Sequence, residues 1–214
     1  MKGPRRIPHP ASGTAGGYQK LPRSFYLRSA LTVARALPGT FLFRRSGRTL
    51  IAGRIVEVEA YLGDRDPASH AYRGLTPRNE VMFGVGGHLY VYFTYGMHFC
   101  CNVVTGRREE AGAVLIRAVE PILGIRAMTA RRSAGDGRHR APRELCSGPG
   151  KLCQAFGIGR RENGEDLCGA TLWIARKRGA DNPSRIVRSP RIGISSGREH
   201  LWRFSLKDNP YVSQ

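Results

Sequence analysis

Two glutamates and a tyrosine alternate with apolar residues in the segment RIVEVEAYL, residues 54–62. Because the side chains of a strand point to its two faces in turn, Glu57, Glu59 and Tyr61 share one face of a predicted strand. Such carboxylates usually lie in solvent, and that interpretation stays open. In a chain with a formal charge of +19, however, an acidic pair on a face that attracts phosphate is unfavourable unless it has a task. Orienting and deprotonating a water molecule is such a task, so the pair is a candidate general base.

A charged residue interrupts a second apolar segment, GAVLIRAV. An unpaired charge inside such a strand would cost several kcal/mol, so Arg117 needs an acidic or polar partner. Two interpretations remain open. Arg117 forms a structural ion pair with any carboxylate, or it borders the same pocket as Glu59.

Three tyrosines cluster in a third segment, LYVYFTYGMHF, which predicts a hairpin with its turn at Gly96-Met97. Aromatic residues are ordinary strand formers, so core packing explains any one of them. Tyr90, Tyr92 and Tyr95 adjoin arginine-rich loops, and they also fit a surface that stacks on bases or inserts into a base stack.

The basic composition indicates the kind of partner. The 214 residues include 35 Lys and Arg against 16 Asp and Glu, and nearly all the basic residues are arginine. Such a charge favours polyanionic partners and salt-sensitive association, and guanidinium groups suit phosphate. Nucleic acid is the leading partner. Composition alone does not separate DNA from RNA or from an anionic membrane surface, and an arginine-rich genome is another source of the charge.

Several other functions lack their motifs. Neither HExxH nor HxE with PCxxC occurs, so zinc hydrolysis and base deamination lack their residues. The segment SGPGKL departs from the phosphate-loop pattern because leucine follows the lysine. The five cysteines have no zinc or thioredoxin spacing and are predicted to be buried thiols in a reducing compartment. No apolar run reaches membrane-spanning length, so we expect a cytoplasmic protein without a membrane partner.

Periodicity and turn residues predict the elements that position these side chains. Residues 1–20 are rich in Pro, Gly and Arg and are predicted to form a flexible basic arm, followed by one domain over residues 21–214. Helices are predicted at residues 25–37, 120–132 and 151–157. Strands are predicted at residues 40–45, 50–63, 89–95, 98–104, 111–119, 171–175, 191–195 and 202–206. The hairpins among these strands predict an α/β (α+β) domain with a curved, largely antiparallel sheet.

Several motifs in this order resemble the alkyladenine DNA glycosylase family, also called 3-methyladenine or methylpurine DNA glycosylases. They are VEVEAYLG, ASHAYRG, TPRNEVMFGVGGHLYVYFTYGMHFCCNVV, VLIRAVEP and RELCSGPGKLCQAFGI. The resemblance covers residues 25 to 213. It implies a single domain whose curved sheet is surrounded by helices, with a protruding β-hairpin that inserts into DNA. It also implies hydrolysis of the bond between deoxyribose and an alkylated or deaminated purine, without a metal or organic cofactor.

The resemblance assigns catalytic and DNA-inserting roles to individual residues. Glu59 would be the general base that activates water. Arg117 would help to hold that water, and the backbone carbonyl of Ile192 would be its third holder. Tyr95 and Met97, at the tip of the hairpin, would occupy the gap that the extruded base leaves in the duplex.

The resemblance also assigns the walls of a base pocket. Tyr61 would stack on one side of the flipped base, and His70 with Tyr92 on the other. Asn102 would lie at the wall and exclude the exocyclic amino group of guanine. The expected partner is double-stranded DNA that contains damaged purines. A monomer without an obligate protein partner, associated with the nucleoid of a bacterium, is expected.

Two rival functions stay open on the sequence alone. A noncatalytic nucleic-acid-binding module would use the tyrosines and arginines, but it leaves Glu59 and Arg117 unexplained. A bifunctional glycosylase and lyase would need an amine nucleophile. Lys151 is the only lysine between Lys20 and Lys177, and the resemblance places it away from the base.

Overall fold

One sheet of nine strands organises the computed structural model, which describes residues 17–135, 137–179 and 185–213. The strands are β1 (Tyr18–Lys20), β2 (Phe41–Ser46), β3 (Thr49–Leu62), β4 (Leu89–Thr94), β5 (His98–Thr105), β6 (Gly112–Leu123), β7 (Leu172–Lys177), β8 (Ile186–Ser189) and β9 (Arg203–Leu206). The helices are α1 (Arg23–Tyr26), α2 (Ala30–Ala36), α3 (Ile125–Ser133), α4 (Pro142–Leu145) and α5 (Pro149–Phe156). Short 3-10 helices occupy Gly63–Arg65, Glu80–Phe83 and Arg160–Glu162.

The long strand β3 is the centre of the sheet. The main strand order is β1-β7-β2-β3-β6-β5-β4, and β9 joins β3 to β8. Strand β6 follows β3 along one side, while β2 and then β9 share its other side. Every strand pair among the described residues is antiparallel. Register shifts between Ile55 and Val58 interrupt the β3 ladder, and such irregularities bend a strand and increase its twist. The predicted largely antiparallel sheet is therefore confirmed.

The main core lies between one face of this sheet and the helices. Val58 and Ala60 of β3 lie opposite Ile116 and Val114 of β6, and all four are completely buried in the main hydrophobic cluster. The helical side of the cluster includes Val33, Met128, Leu152 and Phe156. Since side chains alternate along a strand, Glu59 points to the opposite face. The α-helices thus cover one face of the sheet, while the other face carries Glu59 beside a smaller apolar cluster that includes Met82 and Tyr90.

The predicted first helix is two helices in the structure. Helix α1 ends at Tyr26, and α2 begins only at Ala30. Ser29 is the N-cap of α2, and its hydroxyl accepts a hydrogen bond from the backbone amide of Thr32 at 3.4 Å. Serine favours such a cap over a helix interior because its side chain competes for backbone hydrogen bonds. The apolar spacing alone did not reveal this break.

Three other boundaries differ from prediction. Residues 120–123 extend β6, and α3 starts after Gly124, whose φ of 76° lies in the left-handed region that glycine tolerates. Residues 191–195 are not a strand, whereas residues 186–189, predicted as a loop, form β8. Strand β1 pairs with β7, so residues 18–20 belong to the sheet instead of the predicted basic arm. The rest of that arm, residues 1–16, lies outside the described residues.

Most of the cysteines lie inside the domain. All five cysteines carry free thiols, and four of them are buried, while Cys168 is partly exposed. Within the three described ranges, no helix combines the length and the apolar character that crossing a membrane requires.

Candidate active site

The register of the sheet places predicted site residues in one row across four strands. Glu59 of β3 lies opposite Leu115 of β6, which lies opposite Asn102 of β5, which in turn lies opposite Tyr90 of β4. Residues directly opposite each other share a face of the sheet. The residues that stand far apart in sequence therefore meet on the face that the helices leave open.

A cavity of about 240 Å³ opens on this face. Seven of the nine predicted site residues line it: Tyr61, His70, Tyr92, Tyr95, Asn102, Arg117 and Ile192. Glu59 is 0% exposed and lies behind the wall, in contact with three residues that line the cavity. Met97 does not line the cavity, and 68% of its surface is exposed.

Three donors hold the carboxylate of Glu59. The backbone amide of Ile192 donates to Oε1 at 2.8 Å, and the guanidinium of Arg117 lies 3.2 Å from the same oxygen. The hydroxyl of Tyr61 donates to Oε2 at 2.9 Å. Burial raises the pKa of Glu59, and the charge of Arg117 and the two hydrogen bonds only partly oppose this. A carboxylate with a raised pKa is a stronger base than an exposed glutamate.

The contact of Ile192 differs in kind from the predicted one. In the structure the backbone amide of Ile192 donates to Glu59. The family resemblance had implied that the backbone carbonyl of Ile192 holds the water. The two groups belong to the same residue at the pocket wall, so the structure places Ile192 at the site. The role of its carbonyl stays a prediction.

Arg117 bridges both glutamates. Its Nε donates to Oε1 of Glu57 at 2.9 Å, while another nitrogen contacts Glu59. Arg203 donates to Glu57 at 2.7 Å, and Ser213 adds its backbone amide at 2.7 Å and its hydroxyl at 2.9 Å. Arg117 is thus both a structural ion-pair partner and a residue of the pocket. The solvent interpretation is wrong for Glu57 and Glu59, which are completely buried.

The aromatic wall of the cavity is uncharged. Nδ1 of His70 lies 3.0 Å from the hydroxyl of Tyr90, and its ring meets the Tyr92 ring edge-on, with centroids 4.4 Å apart. Burial lowers the pKa of His70, and the nearby charge of Arg78 lowers it further, so the imidazole is neutral at neutral pH. Burial raises the pKa of Tyr92 and keeps its hydroxyl protonated. A flat aromatic group can stack against such a wall without meeting a like charge.

Asn102 is held in one orientation at the wall of the cavity. Its Nδ2 donates to the backbone carbonyl of Tyr90 at 3.2 Å, and the residue is buried. A side chain fixed in this way can define which groups on a base fit against the wall. Exclusion of guanine by Asn102 stays a prediction.

The hairpin tip presents two large side chains to solvent. Tyr95 is 81% exposed and also lines the mouth of the cavity, and Met97 lies beside it. Tyr95 has a φ of 51° and Gly96 a φ of 66°, and the amide of Met97 donates to the carbonyl of Thr94 at 3.2 Å. Two positive φ angles in succession make a type I′ turn, which suits glycine and asparagine better than tyrosine. The insertion of this tip into DNA stays a prediction.

Sequence reasoning missed two groups of residues around the site. Arg203 and Ser213 surround Glu57, and Asp66 pairs with Arg191 next to Ile192. The sequence signal for these pairs was a single arginine in each apolar segment, Arg191 in RIGIS and Arg203 in WRFSL. Like Arg117, such an arginine needs a partner of opposite charge.

Comparison with known proteins gives the family. The family model described as methylpurine-DNA glycosylase (MPG) matches residues 24–210. A relative from Carboxydothermus hydrogenoformans is 50% identical over 194 residues, which are 91% of this chain and 98% of the relative. A relative from Burkholderia lata is 50% identical over 90% of each chain. One from Methanoculleus marisnigri is 48% identical over 196 residues, 91% of this chain and 98% of the relative. All three carry the provisional name 3-methyladenine DNA glycosylase.

These matches cover nearly all of the described domain, and they place it in the class of DNA glycosylases, enzymes of DNA repair. The chain belongs to the methylpurine-DNA glycosylase family, as the resemblance of its motifs predicted.

Proposed function

We propose that this enzyme is a monofunctional glycosylase of base excision repair that acts on double-stranded DNA. It flips a damaged purine into the cavity and hydrolyses the N-glycosidic bond with a water activated by Glu59, which leaves an abasic site. The substrates are 3-methyladenine, 7-methylguanine, hypoxanthine and ethenoadenine. The observation that carries this proposal is the desolvated carboxylate of Glu59, held by three donors behind the wall of an aromatic cavity.

In the chemical step, water replaces the purine at C1′ of the deoxyribose. The oxygen of a water forms a bond to C1′ of the deoxyribose, and the N-glycosidic bond breaks with its electron pair passing to the purine. Glu59 accepts the proton that the water loses. Tyr61, Arg117 and Ile192 each contact Glu59 and line the cavity, so a water bound among them lies next to the carboxylate. Arg117 balances the charge of the ionised Glu59.

Base flipping supplies the substrate to this site. Extrusion of a base costs a few kcal/mol, and least where pairing is already weakened by damage. Stacking on Tyr92 and His70, together with insertion of Tyr95 into the gap, offsets that cost. Stacking tolerates many purines, so the range of substrates is broad and is limited at Asn102. The charge of +19 attracts the duplex and makes its binding salt-dependent.

Release of free base tests this function directly. Duplexes with one hypoxanthine or one ethenoadenine, and methylated DNA, are incubated with the wild-type protein, with Glu59→Gln and with a control, Glu80→Gln. Glu80 is an exposed carboxylate away from this cavity. The wild type and the control should release base and leave an unbroken strand. Glu59→Gln should bind the lesion and release nothing.

Three results contradict the proposal. Base release by Glu59→Gln at the wild-type rate removes Glu59 from its role. Binding without release on every substrate by the wild type favours a noncatalytic binding module. Trapping of a covalent enzyme–DNA complex by borohydride favours the lyase.

A further inference from the structure

Arg191 is the most completely enclosed cation near the site. Its side chain is 0% exposed and forms a two-point ion pair with Asp66, at 2.5 Å and 2.8 Å. It also donates to the backbone carbonyl of Ala60 at 3.0 Å. Asp66 in turn accepts the backbone amides of Leu62 and Ala68. Arg191 therefore joins the loop after β3 to the segment that carries Ile192.

The flat guanidinium also contacts two aromatic rings. Its central carbon lies 4.6 Å from the ring centroid of Tyr61 and 4.9 Å from that of Trp202. The ring of His200 stacks on Trp202, with centroids 4.0 Å apart and planes only 9° apart. Within the described part of the chain, Nε of Arg191 is buried without a hydrogen-bond partner. The orientation of Arg191 therefore depends on the ion pair with Asp66, the bond to Ala60 and the two ring contacts.

These contacts lead to both oxygens of Glu59. Ile192, which follows Arg191 in the chain, donates its amide to Oε1. Tyr61, whose ring Arg191 contacts, donates its hydroxyl to Oε2. The carbonyl that Arg191 holds belongs to Ala60, the residue between Glu59 and Tyr61. Movement of the guanidinium would therefore displace both donors together.

We infer that Arg191 is a positioning residue for base release, which acts through Ile192 and Tyr61 to hold Glu59 in its working geometry. The inference rests on the proposed role of Glu59. Arg191 itself does not line the cavity. An ordinary structural ion pair would affect only the stability of the fold, whereas a positioning residue also affects the rate and its pH dependence.

The primary test is Arg191→Lys. Lysine keeps the positive charge but loses the planar fork and the flat face that contacts the rings. At saturating duplex with one hypoxanthine, we expect single-turnover base release to fall by about tenfold to a hundredfold, the range expected when a catalytic geometry is misplaced. The acid limb of the pH–rate profile should move to higher pH, because Glu59 loses alignment with two donors. Affinity for the lesion duplex should change much less than the rate.

The Arg44–Glu162 pair supplies a matched control. This ion pair is also largely buried, with a nitrogen–oxygen distance of 2.7 Å, and neither residue lines the cavity. Arg44→Lys should lower the melting temperature and leave the pH–rate profile unchanged. If Arg191→Lys does not fold, Trp202→Leu is measured instead. This variant keeps the ion pair with Asp66, removes one ring contact, and should shift the acid limb in the same direction by a smaller amount.

The outcomes separate this inference from the proposed function. A wild-type rate and pH profile in folded Arg191→Lys overturns the positioning role, and so does an equal loss of rate in Arg44→Lys. Either result leaves the role of Glu59 intact if Glu59→Gln is inactive. Absence of base release by the wild type overturns the proposed function itself.

Discussion

Removal of one hydroxyl, in Tyr61→Phe, isolates the electrostatic control of Glu59. The hydroxyl of Tyr61 donates to Oε2 at 2.9 Å, while the ring lines the cavity and contacts Arg191. Phenylalanine keeps the ring and deletes only the donor. Because the hydroxyl stabilises the ionised carboxylate, its loss raises the pKa of Glu59 further.

The size of the effect follows from the strength of a charged hydrogen bond. Such a bond contributes about 1.5–3 kcal/mol, and each tenfold change in an equilibrium corresponds to about 1.4 kcal/mol. The acid limb of the pH–rate profile of Tyr61→Phe should therefore move upward by about one to two pH units. Base release needs the ionised form of Glu59, so the loss is largest at low pH and disappears on the alkaline side of the limb.

Single-turnover base release from a hypoxanthine duplex, measured across the acid limb, tests this prediction. Tyr18→Phe is the control, because Tyr18 lies in the edge strand β1 and packs on Phe41 and Phe43. An acid limb that stays in place in Tyr61→Phe, while Glu59→Gln is inactive, refutes the reasoning. That result would mean that the hydroxyl is not bonded to the working carboxylate.

Three further predictions concern stability and binding. Burial raises the pKa of Glu59 in the folded state, so protonation of this carboxyl stabilises the fold. That contribution is complete below the ordinary carboxyl pKa and is lost as pH rises through the raised value. At neutral pH the melting temperature of Glu59→Gln should therefore be no lower than that of the wild type, and a lower value contradicts this. Tyr95→Asn places a residue that tolerates positive φ in the type I′ turn, so calorimetry should find an equal or higher melting temperature. Affinity for the lesion duplex, measured by titration, should fall about tenfold through lost stacking, and unchanged affinity means that Tyr95 does not insert into DNA. Ser213→Ala removes one hydroxyl donor to Glu57 and should cost about 1 kcal/mol in urea unfolding. Deletion of residues 212–214 should cost more, because it also removes the backbone amide bonded to Glu57 and the packed side chain of Val212, and equal costs contradict this prediction.

Local sequence pattern was sufficient for the features that depend on alternation. The β2–β3 hairpin lies where it was predicted, and the β4–β5 turn lies at Tyr95-Gly96, one residue before the predicted Gly96-Met97. The alternation of RIVEVEAYL correctly placed Glu57, Glu59 and Tyr61 on one side. The isolated charge in GAVLIRAV correctly predicted an acidic or polar partner for Arg117, which in the structure contacts two glutamates. Assignment of those residues to one pocket came from the family resemblance, since spacing along a chain does not fix which strands are neighbours.

Long-range contacts decided the features that the sequence did not reveal. RIGIS alternates like a strand, yet Arg191 pairs with Asp66, 125 residues earlier, and Ile192 bonds to Glu59, 133 residues earlier. These contacts hold the segment as a loop against the site. Glu57 was identified as one of an acidic pair, but the sequence did not show that its partners would be Arg203 and Ser213, which follow it by 146 and 156 residues.

The bonds around Glu57 join parts of the chain that are synthesised at different times. Ser213 follows Glu57 by 156 residues, so a ribosome exposes the carboxylate long before it delivers the amide and hydroxyl that cap it. Without Ser213, Glu57 keeps only the bonds from Arg117 and Arg203, two of the four that it accepts. Because Arg117 contacts both Glu57 and Glu59, the surroundings of Glu59 depend on this late segment. The polar cluster behind the cavity is therefore completed only when Ser213 packs against Glu57 of β3.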